Sequence, residues 1–239
     1  MAIPLRTVKS YMIRQGRMTP GQKRAYAELF ARFGIEAAAL KDVSKLFPQP
    51  APLWLEIGFG MGQTLLHYAK TQPKHNFIGI EVHVPGIGAV LNAIAADTLQ
   101  NVRIVNADAV VVLKECLPKA SLSGVNIFFP DPWPKKRHHK RRLIQSEFIK
   151  LLAEKLVPGG LLHLATDWQE YAEHMLAVLR ASPYFENTTA DYADRGERPL
   201  TKFEQKGLAQ GHAVFDLRFI RTDIPIVLEN TEIIIEKAQ

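Results

Sequence analysis

The sequence has almost no cysteine and no long apolar run, and both absences restrict the class of protein. One cysteine, Cys116, occurs among 239 residues, so an internal disulfide is excluded. No stretch reaches the roughly 18 apolar residues of a membrane-spanning helix, and residues 1–10 lack the apolar segment of a secretory signal. We therefore expect a cytoplasmic protein without a membrane span, in which Cys116 is a small buried side chain.

Negative charge is scarce in two segments of the chain. Residues 1–52 carry 9 Lys/Arg and 3 Asp/Glu, and residues 135–155 carry 8 and 2. The remaining segments are slightly acidic, with 5 and 6 in residues 53–134 and 8 and 13 in residues 156–239. Positive charge concentrated in this way favours a polyanionic partner over an ordinary solvated surface, although the charge alone does not exclude the second interpretation.

In the first 20 residues the apolar side chains do not recur at the spacing of a helix or of a strand. Their basic residues are Arg6, Lys9, Arg14 and Arg17. We predict a basic arm that is partly mobile without its partner. Thr19 and Pro20 predict the start of a helix over residues 21–33, and three prolines predict a stiff connector over residues 42–52. The chain is thus divided into an arm with its helix, residues 1–50, and a main domain, residues 51–239.

The main domain alternates between apolar strands and helical segments. Strands are predicted at 53–57, 76–82, 102–106, 125–129 and 161–165, with a final pair at 184–189 and 212–221. The run V-P-G-G at 157–160 predicts a sharp turn, and loops are predicted over the charged residues 191–198 and over residues 201–204. Short connections between apolar strands indicate an α/β fold of the Rossmann-like type. We expect a mostly parallel sheet with helices on both faces and an antiparallel C-terminal strand.

Three glycines and four acidic residues mark a binding site in this sheet. Gly58, Gly60 and Gly62 follow the first strand and precede a helix, which is how an α/β protein holds a nucleotide-like ligand against its backbone. The acidic residues lie at or just after successive strand ends: Glu56, Glu81, Asp108 and Asp131. Because these ends meet at one edge of a parallel sheet, the carboxylates are expected around the glycine turn.

The pattern of glycines distinguishes between ligands. A dinucleotide fingerprint requires a third glycine or an alanine where this chain has Gln63, which disfavours a nicotinamide dehydrogenase. The spacing G-x-G-x-G after Glu56 resembles the first motif of class I S-adenosylmethionine-dependent methyltransferases. Glu56 would then face the ammonium or sulfonium side of that cofactor, Glu81 the ribose hydroxyls and Asp108 the adenine amino group. Helix capping is the alternative role for Glu56 and Asp108.

A second site is expected where the fourth strand ends. Its sequence is F-F-P-D-P-W-P, which contains Asp131 and Trp133, and six of the next eight residues are Lys or Arg. Such side chains bind phosphates without reading sequence. Trp133 is expected either to stack on a base or to brace the loop. His138 and His139 are adjacent and diverge, so no metal site is predicted.

These motifs together identify a family resemblance. The runs L-E-I-G-F-G-M-G, G-I-E-V-H, F-F-P-D-P-W-P-K-K-R-H-H-K-R-R, A-T-D-W and T-K-F-E resemble the bacterial tRNA (guanine-N7-)-methyltransferases over nearly the whole chain. The resemblance implies methyl transfer from S-adenosylmethionine to N7 of a guanosine in the tRNA variable loop, at position 46. It also implies that Asp131 is the catalytic residue. The implied cofactor contacts are Glu56, Gly58, Gly60, Gly62, Glu81, Asp108 and Asp131. The implied substrate contacts are Lys135, Asp167, Thr201, Lys202, Phe203 and Glu204. The implied RNA contacts are Arg137, His138, His139, Lys140, Arg141 and Arg142.

The chemistry of N7 sets the requirements of such a site. N7 of guanine carries a lone pair and no proton, so the attack needs no general base. Asp131 is expected to hold the guanine and stabilise the developing positive charge, with Asp167 acting from the other side. Lys202 and Glu204 are expected either to contact substrate or to pair with each other. The alternatives are a methyltransferase for another RNA or a small molecule, and a non-catalytic RNA-binding module. Both a monomer and a homodimer are compatible with the sequence.

Overall fold

A computed structural model of the protein describes residues 10–11, 16–209 and 211–226, and of Lys202, Phe203 and Lys206 it describes the backbone only. Within these residues the strands form one seven-stranded sheet. The strands are β1 Leu53–Ile57, β2 Asn76–Glu81, β3 Val102–Asn106, β4 Leu122–Phe128, β5 Leu156–Thr166, β6 Phe185–Asn187 and β7 Phe215–Arg221. Their order is β3-β2-β1-β4-β5-β7-β6, and β7 is antiparallel to both neighbours. The predicted Rossmann-like sheet with an antiparallel C-terminal strand is confirmed.

Helices cover both faces of the sheet. The described α-helices are α1 Pro20–Phe33, α2 Gln63–Thr71, α3 Val84–Ala96, α4 Ala109–Glu115, α5 Ser146–Lys155, α6 Gln169–Arg180 and α7 Lys202–Ala209. Along β1, Leu55 joins the core under α4, α5 and α6, while Trp54 packs against the core under α1, α2 and α3. This alternation follows from the strand period, which places successive side chains on opposite faces. None of the described helices is long and apolar enough to span a membrane.

The strand order places the functional edge of the sheet. β1 pairs with β2 on one side and with β4 on the other, so the chain reverses direction across the sheet between β1 and β4. Ligands of open α/β sheets bind outside the carboxyl ends of the strands at such a switch point. The glycine turn after β1 and the F-F-P-D-P-W-P loop after β4 therefore flank one crevice.

Helix α1 begins as predicted and is attached to the sheet. The Thr19 hydroxyl accepts from the N–H of Gln22 (3.2 Å), and the Gln22 side chain accepts from the N–H of Thr19 (2.8 Å), which forms a capping box. The helix packs on α3, and the N–H of Ile35 donates to the carbonyl of Ile104 in the outer strand β3 (2.9 Å). Of the basic arm residues, Arg17 is exposed, while Arg6, Lys9 and Arg14 lie outside the described residues.

Four local predictions are wrong. Two 3₁₀ turns, separated by a kink at Asp42, span Ala37–Lys45 and extend into the first part of the predicted connector. A turn was expected over residues 157–160, but β5 runs through them, and its pairing with β4 shifts register between Leu122 and Gly124 to absorb the extra residues. Residues 201–204, expected in a loop, instead lie at the start of α7. Cys116 is half-buried rather than buried, because it caps the exposed end of α4.

Candidate active site

The glycine turn after β1 is tight on one side and open on the other. Gly62 has φ +76°, and a Cβ there would lie 2.2 Å from a methyl group of Val90, so no other residue fits without displacing α3. Gly86 of α3 approaches so closely that a Cβ on it would lie 2.1 Å from the carbonyl oxygen of Gly60. By contrast, a Cβ at Gly58 or Gly60 would meet no atom within 4 Å. The turn thus presents bare backbone to an open space.

Glu81 ties the end of β2 to this turn. One carboxylate oxygen accepts from the N–H of Gly60 (2.8 Å), and the other accepts from the N–H groups of Val82 (2.7 Å) and His83 (2.9 Å). An ionised carboxylate has about four acceptor positions. Three are used here, so Glu81 is fixed in orientation and keeps capacity for a ligand hydroxyl. The structure brings Glu81 to the glycine turn, as the sequence predicts.

Glu56 is a buried carboxyl with an unsatisfied oxygen. Its side chain is 5% exposed, and Oε2 has no hydrogen-bond partner among the described residues. Burial raises its pKa to about 8, an effect that Arg198 opposes and Glu81 reinforces. An uncompensated buried carboxyl beside an open glycine turn suits a ligand that carries positive charge. The carboxyl therefore suits an ammonium or sulfonium group better than a phosphate.

Asp108 follows β3 and caps the N-terminus of α4. Its Oδ1 accepts from the N–H of Val110 (2.8 Å), so the capping alternative is confirmed. The side chain is half-buried. Asn106, at the end of β3, donates to the carbonyl of Glu81 (3.1 Å), which holds β3 and β2 together at this edge. A contact between Asp108 and adenine stays a prediction.

The loop after β4 contains two strained residues on either side of Asp131. Phe129 has φ +53° and Trp133 has φ +46°, in the left-handed region that non-glycine residues rarely adopt. Asp131 is half-buried between them. The N–H of Phe129 donates to the carbonyl of Ala165 in β5 (2.8 Å), two residues before Asp167. Asp131 and Asp167 therefore follow the ends of neighbouring strands, as the sequence predicts.

Trp133 braces the loop. Its side chain is 7% exposed, and its indole N–H donates to the carbonyl of Ser10 (3.0 Å). The guanidinium of Arg141 lies 4.5 Å from the ring centroid, and the ring of His138 packs edge-on at 5.8 Å. Of the two alternatives for Trp133, the structure supports bracing, because protein groups already cover the ring.

The basic run divides into surface and internal residues. It forms a 3₁₀ helix, Lys136–Arg141, and its exposed members are Lys135, Lys136, Arg137 and Lys140. His138, His139 and Arg141 are half-exposed. Partial burial and the surrounding cations lower the pKa of His138. An exposed cationic surface thus lies beside Asp131.

Arg142 does not belong to that surface, contrary to expectation. It is 3% exposed, its Nε donates to the carbonyl of Pro132 (2.9 Å), and it lies 3.2 Å from a carboxylate oxygen of Glu170. Its guanidinium carbon also lies 5.0 Å from the ring centroid of Tyr171. The Arg142 side chain thus connects the loop at Pro132 to helix α6. This connection explains how the strained residues Phe129 and Trp133 keep their conformation. Arg142 is thus unavailable to RNA in this conformation.

Thr201 and Glu204 form the start of α7. The N–H of Glu204 donates to the Thr201 hydroxyl (3.2 Å), and the N–H of Thr201 donates to Glu204 Oε2 (3.4 Å). T-K-F-E is therefore a capping box, a signal present in the sequence but not recognised there. Glu204 is 3% exposed and pairs with Arg198. Its pairing with Lys202 stays a prediction. The side chains of Lys202 and Phe203 lie outside the described residues.

Sequence reasoning missed Arg198, which was expected only as the last residue of the charged loop 191–198. Arg198 is buried, and so is its partner Asp216 of β7. His163 of β5, which contacts Asp216, is buried as well. His163 Nε2 lies 2.7 Å from Asp216. Burial lowers the pKa of His163 despite this contact. The His163 ring therefore acts as a neutral hydrogen-bond donor to Asp216 and not as an ion-pair partner. No local pattern marks these residues, because strands β5 and β7 bring them together from distant segments.

A separate cavity of about 310 Å³ lies on one face of the sheet. Trp54, Tyr68, His163 and Arg218 are among its lining residues. None of the strand-end carboxylates lines it, so it is distinct from the crevice at the carboxyl edge. Within the described part of the chain, no three His, Cys, Asp or Glu side chains are grouped as metal ligands.

Comparison with known proteins identifies the family. Residues 50–217 match a family model described as "Putative methyltransferase". Proteins named tRNA (guanine-N(7)-)-methyltransferase are 51% identical in Alkalilimnicola ehrlichii (92% of this chain, 95% of that protein) and 53% identical in Thiobacillus denitrificans (90% and 95%). The protein of that name from Pseudomonas aeruginosa is 50% identical, with 93% of each chain covered.

Solved structures show the same fold at low sequence identity. The 16S rRNA methyltransferase KamB superposes with a TM-score of 0.57 at 15% identity, covering 74% of this chain and 92% of that one. The antibiotic-resistance methyltransferase Kmr gives a TM-score of 0.54 at 17% identity, covering 77% and 93%. The fold is that of known methyltransferases, and about half of the aligned residues are identical to those of the named relatives over more than 90% of each of their chains. The chain belongs to the tRNA (guanine-N(7)-)-methyltransferase family.

Proposed function

We propose that the protein transfers the methyl group of S-adenosylmethionine to N7 of a guanosine in tRNA, at position 46 of the variable loop. One observation carries the proposal: the open glycine turn with its carboxylates, and the braced loop of Asp131 with its cationic surface, flank one crevice at the switch point between β1 and β4. A small-molecule methyltransferase would need the first half of this arrangement only. A non-catalytic RNA-binding module would need the second half only.

The cofactor half is formed by the glycine turn and the ends of β1, β2 and β3. When bound, S-adenosylmethionine supplies a methyl group on a positively charged sulfur. Glu56 would face this positive charge, because its Oε2 is buried and unpaired among the described residues. Glu81 would accept from ribose hydroxyls, since its orientation is already fixed by Gly60. Asp108 would lie near the adenine while it caps α4.

The acceptor half is formed by the ends of β4 and β5. N7 of guanine attacks with its own lone pair, so the protein has to expose the base and align it. Asp131 would accept from the guanine N1–H or amino group, and its charge would stabilise the cation that develops on the purine. Asp167, after the neighbouring strand, would act from the other side. A site that excludes water strengthens both effects.

The RNA would be held by the exposed basic residues beside Asp131. Lys135, Lys136, Arg137 and Lys140 can contact phosphates of the folded RNA, which provides affinity without reading sequence. The half-exposed His138, His139 and Arg141 are the inner members of this surface. A base paired within the tRNA would have to turn out of its stack to reach Asp131. The N-terminal arm is proposed to add further contacts to the RNA.

The test is methyl transfer to a defined RNA. The protein is incubated with methyl-labelled S-adenosylmethionine and an unmodified tRNA transcript, and the nucleosides are separated by mass spectrometry. We expect label in 7-methylguanosine, and none when adenosine replaces the guanosine at position 46. Label in another nucleoside would contradict the acceptor atom, and label in 7-methylguanosine from both transcripts would contradict the position. Cofactor binding without transfer to tRNA would favour another substrate.

A further inference from the structure

Arg198 is a buried cation whose contacts join three separate parts of the acceptor site. It is 1% exposed and lies on the connection between β6 and α7. Burying a guanidinium is costly unless its charge and its donors are matched. Its hydrogen-bond partners are therefore informative about what the side chain is there to hold.

Two carboxylates match the guanidinium in paired contacts. Toward Glu204, Nη1 donates to Oε2 (2.6 Å) and Nη2 donates to Oε1 (2.9 Å). Toward Asp216, Nε donates to Oδ1 (2.9 Å) and Nη2 donates to Oδ2 (2.8 Å). Arginine is the only side chain whose planar group can serve two carboxylates in this way. Burial disfavours the charge, but the contacts with Asp216 and Glu204 raise the pKa of Arg198 above its usual value.

The third contact is with the loop that carries Asp131. The guanidinium carbon lies 5.4 Å from the ring centroids of both Phe128 and Phe129. Phe129 is one of the two strained residues of the loop, and Asp131 follows it by two positions. The rings and the cation attract each other in this geometry. Arg198 thus touches the loop at the point where its backbone leaves β4.

We propose that Arg198 is a positioning residue that sets the start of α7, with Thr201 and Glu204, relative to the Asp131 loop and to β7. The inference rests on the proposed function, since it concerns the geometry of the same acceptor site. It assigns Glu204 a defined place: its carboxylate is oriented by Arg198 on one side and caps the helix on the other. Asp216 in turn anchors Arg198 to β7 and is itself held by His163 of β5.

A purely stabilising role makes a different prediction from a positioning role. Removing Arg198 alone leaves the buried carboxylates of Glu204 and Asp216 without their cation and lowers stability under either role, so a loss of stability does not distinguish the two. A positioning residue instead affects turnover, because a displacement of about 1 Å in the reacting groups can reduce the rate roughly a hundredfold. The two roles are therefore separated by measuring activity and stability in the same variants.

The variants are Arg198→Lys and Arg198→Met, with Arg221→Met as the matched control. Arg221 is also a buried arginine of the sheet region, but its guanidinium donates to the backbone carbonyls of Ala153 and Ile224 (3.0 Å each), away from the loop. We expect kcat for tRNA methylation to fall roughly tenfold in Arg198→Lys and roughly a hundredfold in Arg198→Met, with little change in the Kd for S-adenosylmethionine. Arg221→Met should lower the melting temperature and leave kcat within roughly twofold.

A double-mutant cycle with Glu204→Gln tests whether Arg198 acts through Glu204. If it does, the variant with both changes should be no slower than Arg198→Met alone. Independent effects that multiply would overturn the inference, and so would an Arg198→Met enzyme with kcat within roughly twofold of wild type.

Amide hydrogen exchange gives a readout that does not depend on activity and that applies to Arg198→Lys, the variant most certain to fold. We expect faster exchange in residues 129–134 and 202–209 together, and unchanged exchange there in Arg221→Met. Unchanged exchange in Arg198→Lys would overturn the inference. A wild-type protein that forms no 7-methylguanosine would contradict the proposed function instead, and the exchange result would still decide whether Arg198 sets these two segments.

Discussion

The carboxylate of Glu81 accepts a hydrogen bond from the backbone N–H of Gly60 at 2.8 Å, across 21 residues of sequence. This contact joins the end of β2 to the middle of the glycine turn. It means that the residue expected to bind the cofactor ribose also shapes the turn on which the cofactor would rest. A change that keeps the shape of the side chain disturbs the turn least.

Glu81→Gln is such a change. The amide has one acceptor oxygen in place of two, so one of the three backbone N–H groups at this position loses its partner. An unpaired buried donor costs about 1–3 kcal/mol of stability. We expect a lower melting temperature and a Kd for S-adenosylmethionine raised roughly tenfold or more. Calorimetric titration measures the second effect, with exposed Glu115→Gln as control, and an unchanged Kd would contradict the cofactor role of Glu81.

Glu56 predicts a pH dependence of stability. Its carboxyl has a pKa of about 8 when folded, against a usual value of 4.5. The folded chain therefore binds the extra proton between about pH 5 and 8, and the free energy of unfolding falls as pH rises through that range. The maximal slope is about 1.4 kcal/mol per pH unit. Glu56→Gln should remove this contribution, and denaturant titrations from pH 5 to 9 that show the same slope in both proteins would exclude it.

The same carboxyl predicts how cofactor affinity responds to pH. A cationic ligand favours the ionised form of Glu56, so the Kd of the wild-type protein for S-adenosylmethionine should decrease from pH 6.5 to about 8 and then level off. In Glu56→Gln the Kd should be higher and nearly independent of pH over this range. Titration calorimetry in two buffers of different ionisation enthalpy checks the accompanying proton release.

Asp131→Asn tests the electrostatic role of the acceptor loop. The change keeps the shape of the side chain and removes its charge. We expect kcat for tRNA methylation to fall roughly a hundredfold, while the Kd for S-adenosylmethionine stays within roughly twofold. Single-turnover methyl transfer at saturating tRNA isolates the chemical step, and Asp97→Asn on the surface end of α3 is the matched control. Near-normal turnover in Asp131→Asn would contradict the proposed role.

The exposed basic residues predict a salt dependence of RNA binding. In Lys136→Ala/Lys140→Ala the slope of log affinity against log salt concentration should be shallower by about 1.5, because two phosphate contacts are lost. kcat at saturating tRNA should change little. Lys114→Ala/Lys119→Ala removes the same charge from exposed positions at the end of α4 and beyond it. Equal effects of the two double variants would mean that only total charge matters.

The sequence was sufficient for the sheet and for the carboxylates around it. Buried strands such as Leu53–Ile57 are apolar runs of the right length, and the residues at their ends are brought together by topology alone. The N-cap role of Thr19 could be predicted because capping is a local interaction. These features depend on neighbours in sequence or on one architectural rule.

The roles of individual residues in the basic run, residues 135–142, and around Glu204 could not be predicted from the sequence in the same way. Arg141 and Arg142 are adjacent and chemically identical, yet one lies over the Trp133 ring near the surface and the other is buried against Pro132. That difference is set by α6, which supplies Glu170 and Tyr171. Likewise Arg198 is buried because it pairs with Asp216 of β7. Neither the segment of Arg198 nor β7 has a sequence pattern that predicts this contact.

The pairing of Ile35 with Ile104 has a consequence for how the protein behaves in a crowded cell. β3 is an outer strand, and unpaired backbone on such a strand is a template for association with other chains. The residues just after α1 occupy part of that template, through a parallel bridge between Gly34 and Ile104. At the opposite edge, β6 has only three residues. In the described part of the chain, both edges of the sheet thus offer only short stretches of unpaired backbone for association with other chains.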